Sequence, residues 1–308
     1  MGRIYMIAYK ETLIQNAKKA GGHEITDEEL KKLQMCMLKC YREINDVCEK
    51  HKIQIFLQGG SLLGAVRHGG FIPWDDDMDF GMSRKDYNKF IQVFEEELSD
   101  RYILSAPNSS YKAYNRFIQL YRKDTVLIDA FEDSGSSKPQ CVYIDIFPID
   151  YAPNNGVLRQ IKGIMCNFLM VIAGCVEEYK EQNKTLQNIM EQSKKGKWIY
   201  RIRYAIGKIF GFKAPGYWFN LVDKAISHSE KTGYVTSGTG RKHYLGEVVS
   251  EDVFFPLKYM KFEKIKVRVP NKPHEYLENL YGNYMKIPPE HKRERHFIKK
   301  VEVDKILK

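Results

Sequence analysis

A chain of 308 residues that is 43% hydrophobic and 13% aromatic carries enough apolar material for one large core or two smaller ones, which excludes a disordered or fibrous protein. Its formal charge of +10 leaves nucleic acid, an anionic membrane face and phosphorylated substrates as partner classes, and charge alone does not choose among them. No run of about 18 or more uncharged apolar residues stands in the sequence, and Met1 to Tyr9 is too short and polar for a secretory signal, so the expected location is the cytoplasm.

The first element in chain order is "TDEELKKLQMCMLKCYREINDVCEKH", where Thr26 and Glu29 form a capping box and Leu30, Leu33, Met37, Tyr41, Ile44 and Val47 recur at helical spacing. This predicts an amphipathic helix. "IQIFLQ" (53–58) then reads as a strand ending on Gly59 and Gly60, and "SLLGAVRH" as about two helical turns. After the loop "GGFIPW", "DDDMDFGM" (75–82) reads as a second strand, and Ser83 caps a helix beginning at Arg84. "NRFIQLYRKDTVLI" and "CVYIDIFPID" have the β-branched and aromatic character of further strands.

Beyond Pro153 the texture changes. Residues 157–230 lack strand signals and read as helical, and 197–213 form a basic helix with Trp198, Ile202, Ile206 and Ile209 on one stripe. Such a helix can lie in a membrane interface, or pack on its own domain with its lysines in water. The last residues return to strands ("VFFPLKYMKFEKIKVRVP"), a helix ("HEYLENLYG") and a charged tail in which Tyr281, Tyr284, Pro288 and Pro289 are expected to pack on the core. The expected organisation is an α/β (α+β) mixed-sheet core over 1–153, a mostly helical insertion over 154–240, and a return to the core over 241–308. The six cysteines contain no CxxC pair and read as reduced, mostly buried thiols; Cys36 and Cys40 lack a matched zinc-site pair.

The chemistry concentrates in "GGFIPWDDDMDFGM". At an effective dielectric of about 20, two carboxylates roughly 6 Å apart repel by about 3 kcal/mol, so the cluster calls for a compensating cation. On a strand, Asp75, Asp77 and Asp79 share one side with Cα spacings of about 6.6 Å, while Asp76 points away. Converging hard oxygen ligands suit Mg²⁺ or Mn²⁺. An EF-hand reading fails because Phe80 stands where glycine is required and Asp86 where the bidentate glutamate is required. Upstream, "LQGGSLLGAVRHGG" supplies backbone N–H groups at Gly60, the Ser61 hydroxyl, Arg67 and His68 as phosphate contacts. It is neither a P-loop nor a dinucleotide fingerprint.

The order of a Gly-Ser turn, a short helix, an Asp-x-Asp strand and a later acidic strand resembles the nucleotidyltransferase fold, on Gly60, Ser61, Asp77, Asp79 and Asp145. "GGSLLGAVRHGGFIPWDDDMDFGMSRKDY" further resembles the signature of the LicD family of phosphocholine and polyol-phosphate transferases, to which the fukutin-related ribitol-phosphate transferases are similar. "YIDIFPID" and "YGNYMKIPPEHKRERH" resemble family segments as well. The resemblance implies transfer of an alcohol phosphate (choline, ethanolamine, glycerol or ribitol) from a CDP-activated donor to a hydroxyl of a cell-surface glycan or teichoic-acid precursor, with release of CMP. It implies that Asp75, Asp77, Asp79 and Asp145 hold the metal against the donor pyrophosphate. One of the first three is also expected to take the acceptor proton.

Within that reading Arg67 holds a donor phosphate, Arg293 and His296 close over it, and Trp74 is the best-placed ring for a choline trimethylammonium group. A lipid-linked acceptor at the inner face of the cell membrane suits both the net charge and the 197–213 helix. Two alternatives share some of these features. One is a nucleotidyltransferase that moves the nucleotide itself to a sugar phosphate or RNA end, releasing pyrophosphate. The other is a non-catalytic metal- or nucleic-acid-binding module, disfavoured because the basic residues are dispersed and no base-reading motif is present.

Overall fold

The computed structural model describes residues 16–132, 137–228, 230–290, 293 and 296–308. The segment Met1 to Tyr9 and part of the charged tail therefore lie outside the described residues. The capping box forms as written: the Thr26 hydroxyl accepts from the Glu29 N–H, the Glu29 carboxylate accepts from the Thr26 N–H, and helix α1 runs Asp27–Lys50. Its six stripe residues are all buried. Each such burial stabilises by about 1.5–3 kcal/mol, which makes α1 the long brace behind the sheet.

Strand β1 (His23–Glu24) precedes α1; β2 (Ile55–Leu57), helix α2 (Gly59–His68), β3 (Asp79–Ser83) and α3 (Arg84–Glu97) follow it. The first of two corrections concerns the acidic run. The strand starts at Asp79, and residues 75–78 are a loop leading into it. The reason is a lack of partners: β2 ends at Leu57 opposite Phe80, and the chain turns away into α2 once the Gln58 N–H has donated to the Asp79 carbonyl at 3.1 Å. The second concerns the glycine turn, which is already the first turn of α2, with Gly59 at φ +55°. Gly69, left-handed at φ +69°, ends that helix.

The "NRFIQLYRKDTVLI" run splits at a turn. After β4 (Tyr102–Ser105) come β5 (Ile118–Arg122), β6 (Val126–Asp129) and the long β7 (Tyr143–Ala152). The central sheet is ordered β2-β3-β7-β5-β4, with β3 and β7 parallel and the other pairs antiparallel. The C-terminal half of β7 continues the sheet through β8 (Tyr234–Thr236) and β9 (Val249–Ser250).

Between β7 and β8 stand four helices: α4 (Gly156–Glu181), α5 (Lys184–Glu191), α6 (Lys194–Phe210) and α7 (Pro215–Ile226). They build a second core in which Cys166, Met170 and Ala173 of α4 meet Trp218, Phe219 and Val222 of α7. The chain closes with α8 (His243–Gly246), α9 (Glu251–Phe254), the hairpin β10 (Lys258–Phe262) and β11 (Ile265–Val269), α10 (Pro273–Tyr281), β12 (Phe297–Glu302), which joins β1 and β6, and α11 (Asp304–Leu307). This mixed α/β architecture with a helical insertion agrees with the fold expected from the sequence. All six cysteines are free, and five of them are buried.

A buried ion triad joins the helical layer to the sheet. Arg84, at the start of α3, donates from Nε and Nη2 to both carboxylate oxygens of Asp150 on β7 (2.7 and 2.7 Å) and from Nη1 to Asp223 on α7 (2.8 Å). All three side chains are nearly inaccessible. The satisfied geometry keeps α7, and α4 packed on it, at a set height above the strands.

Candidate active site

Parallel register places Asp79 of β3 beside Asp145 of β7, and antiparallel register places Gln119 of β5 on the other side of Asp145. Laterally paired residues point to the same face, so Asp79, Asp145 and Gln119 form one row across three strands about 4.8 Å apart. Gln119 donates to Asp145 at 3.0 Å, and its own carbonyl accepts from the Tyr121 hydroxyl at 2.6 Å. Asp145 is therefore oriented from behind.

Asp79 is held from the other side. The Ser61 hydroxyl accepts from the Asp79 N–H at 2.9 Å, and the Gly60 N–H donates to the Asp79 carboxylate at 3.3 Å. The positive end of α2, expected to meet a phosphate, thus already faces a carboxylate. A Cβ on Gly60 would lie 2.9 Å from an Asp75 oxygen and 3.8 Å from an Asp79 oxygen, which shows how closely the two carboxylates approach that turn. Asp77 shares a side-chain hydrogen bond with Asp75.

Burial, first of all, and then mutual repulsion push Asp75, Asp77 and Asp79 above the usual carboxylate range, and burial pushes Asp145 up to about 7. The fourth aspartate is different: Asp76 accepts from His296 at 2.6 Å, and that carboxylate raises the imidazole to about 10. His296 thus pairs with the aspartate whose charge also presses on Asp75 and Asp77.

Asp77, Asp79 and Asp145 open into a cavity of about 560 Å³ between the sheet, the inner faces of α4 and α6, and the 239–247 segment. Gly60, Ser61, Arg67, His68, Trp74, Asp75, Arg293 and His296 do not line it. They form a supporting group instead. Arg67 donates to His68 (2.9 Å) and to the Tyr284 carbonyl (2.7 Å), and its charge lies near Asp75. The guanidiniums of Arg67 and Arg293 stand 5.9 and 4.3 Å from the Trp74 ring centroid. Trp74, expected as a choline-binding ring, is thus placed between two guanidiniums of the chain itself.

Sequence reasoning missed the rest of the lining. Arg116 and Phe117 before β5, Asn167 on α4, Arg203 on α6, and Thr239 and Glu247 line the cavity together with the carboxylates. The Asn167 and Thr239 side-chain oxygens are buried without a hydrogen-bond partner among the described residues. Polar atoms stranded in this way mark a surface built for a polar guest. Phe117 and Phe147 pack with centroids 4.2 Å apart and planes tilted by 39°, and give the cavity an aromatic wall. Only "NRF" ahead of a strand carried any signal, since the other residues come from elements far apart in the chain.

Among the described residues no three or more His, Cys, Asp or Glu side chains are placed so that they could hold a metal ion together. Mg²⁺ usually takes one or two carboxylates and completes its shell with water and substrate phosphate, and one or two of the all-oxygen side chains Asp77, Asp79 and Asp145 meet that requirement.

Residues 52–162, which contain all of these strands, match the family described as LicD/FKTN/FKRP, nucleotidyltransferase domain. The lipopolysaccharide cholinephosphotransferase LicD of Haemophilus influenzae is 27% identical over 281 residues, covering 87% of this chain and 96% of that protein. Ribitol 5-phosphate transferase FKRP of mouse and of human is 46% identical over a 62-residue segment, 19% of this chain and 13% and 12% of those proteins. The fold, the acidic row and these matches define the class: residues 52–162 carry a LicD/FKTN/FKRP-type nucleotidyltransferase domain, and the chain is similar to LicD-type phosphotransferases.

Proposed function

We propose that the protein transfers an alcohol phosphate, choline phosphate or a polyol phosphate such as ribitol phosphate, from a CDP-activated donor to a glycan hydroxyl, releasing CMP. The observation that carries this is the convergence of Asp77, Asp79 and Asp145 on one cavity that Arg116, Asn167 and Thr239 also line. The acceptor oxygen forms a bond to the phosphorus that bears the alcohol, and the bond from that phosphorus to the oxygen of CMP breaks. Mg²⁺ or Mn²⁺ held at this cluster would supply charge neutralisation at the donor pyrophosphate.

The chain's own residues do the remaining work. Asp77, Asp79 and Asp145 would hold the ion; Gln119, Ser61 and Gly60 keep Asp145 and Asp79 aimed. Arg116 faces the donor phosphates in the cavity, and a carboxylate of the cluster receives the acceptor proton. The Phe117–Phe147 wall takes the apolar or cationic part of the transferred alcohol. The acceptor is carried on a lipid at the cytoplasmic face of the cell membrane.

The test is CMP release from CDP-choline, CDP-ethanolamine, CDP-glycerol and CDP-ribitol with Mg²⁺ or Mn²⁺ and a crude glycolipid acceptor. Metal-dependent release from one donor, reduced by about 10²-fold or more in Asp77→Asn, is the expected result. Release of pyrophosphate from a nucleoside triphosphate, with labelling of a sugar phosphate or RNA end, would replace this reading with nucleotide transfer.

A further inference from the structure

Helix α4 is 26 residues long with a mean hydropathy of 1.3 in its most apolar window, of which 28% is buried. That is long and apolar enough to cross a membrane, although its sequence is interrupted by Arg159 and Lys162. Crossing would be incompatible with the rest of the fold, because its inner side supplies Cys166, Met170 and Ala173 to the second core and Asn167 to the cavity wall. The outer side is a different surface. Val157, Leu158, Ile161, Ile164 and Phe168 stand exposed, Phe168 at 60%.

The packing of α6 explains why only this half is bare. Gly207 approaches the Cys175 carbonyl so closely that a Cβ would lie 2.2 Å away, and Arg203 donates to Glu178 at 2.6 Å. The two helices therefore run antiparallel, and α6 covers the C-terminal half of α4. At 1.5 Å rise per residue its last turn ends beside Val171. There Ile209 and Phe212 are 69% and 71% exposed, with Trp198 and Ile202 exposed farther along α6. The uncovered half of α4 and the outer stripe of α6 thus form neighbouring parts of one apolar surface.

Charge selects what meets it. From Lys194 to Lys213 the sequence has seven Lys or Arg and no Asp or Glu. Six of them, all but Arg203, are exposed, and none of those six forms an ion pair among the described residues. An apolar face rimmed by unpaired cations matches an anionic bilayer surface. Val171 belongs both to this surface, at 48% exposure, and to the cavity lining, so the apolar path runs from the outside into the site.

We infer that the α4–α6 face is a monotopic membrane-docking surface for an anionic bilayer, seated so that the cavity opens at the lipid interface past Val171. The inference rests on the proposed transfer only for the acceptor that enters there. It extends the surface beyond the 197–213 helix to α4, which carries most of the exposed apolar side chains.

The experiment is co-sedimentation of the full chain with phosphatidylcholine vesicles, with and without phosphatidylglycerol, at low and high salt. Wild type is expected to partition onto the anionic vesicles and to come off as salt rises. Ile164→Glu/Phe168→Glu, changed only at exposed positions, is expected to partition at least about tenfold more weakly with an unchanged thermal midpoint. Asp77→Asn is expected to partition as wild type, so loss of the transfer chemistry and loss of docking are read separately. Equal partitioning of wild type and the double variant overturns the inference. So does a wild-type dimer that the double variant dissolves while neither binds vesicles, since a second copy would then cover the face.

Discussion

At the scale of single residues, the site depends on what is absent as much as on what is present. Gly60 lies where any side chain would press on the carboxylates of Asp75 and Asp79. Gly60→Ala is therefore expected to displace them by a few tenths of an ångström to 1 Å and to lower turnover by about 10²-fold, while the thermal midpoint moves little. CMP-release kinetics beside a melting curve check it; unchanged turnover would show that the carboxylates have room to shift. The acidic motif announced the chemistry in the sequence, but the alternation argument did not hold for Asp75 and Asp77, because strand pairing begins only at Asp79. What brings them together is a loop wrapped over the first turn of α2. The pairing of Asp76 with His296, 220 residues away, follows from β12 joining the β1 and β6 edge and had no local signal.

At the scale of elements, local pattern was a good guide where a helix has one neighbour and a poor one where it has several. The stripe of α1 faces one sheet and is wholly buried. Helix α4 is apolar on nearly all sides, and periodicity could not say that one side meets α7, part of another meets α6, and the remainder meets solvent. The device that sets this layer over the strands is the Arg84–Asp150–Asp223 triad. Arg84→Met removes the cation and leaves two buried carboxylates, which is expected to cost about 3–5 kcal/mol in urea unfolding. Removing Glu49 from its pair with Arg268, where Glu49 is half exposed, is expected to cost less than about 1 kcal/mol. A small loss for Arg84→Met would mean that the cores alone hold the layer in place.

At the scale of the whole molecule, buried carboxylates make stability fall as pH rises. Glu132, away from the acidic site, is pushed up to about 7 by burial and then by Asp129, from an ordinary value of 4.5. Its folded pKa is the higher one, so the folded state binds more protons between those values and loses stability as pH rises through that window. Glu132→Gln is expected to stabilise the protein by roughly 1–2 kcal/mol at pH 8 relative to wild type, with the gain vanishing near pH 4.5. Denaturant unfolding at the two pH values checks the sign, and a variant less stable than wild type at pH 8 would contradict the assigned environment.

The sequence by itself determined the class of chemistry, because an Asp-x-Asp run beside a glycine-serine turn and a later acidic strand are contiguous patterns readable without knowing how distant parts meet. It also determined the amphipathic brace and the mixed α/β character, which follow from periodicity and capping. Only the tertiary structure decided which carboxylates share a cavity, which guanidiniums support the acidic loop, what else lines that cavity, and which half of α4 stays bare. Those outcomes depend on sheet register and on helices brought together from far apart in the chain, and a local pattern carries no record of the neighbour it will meet.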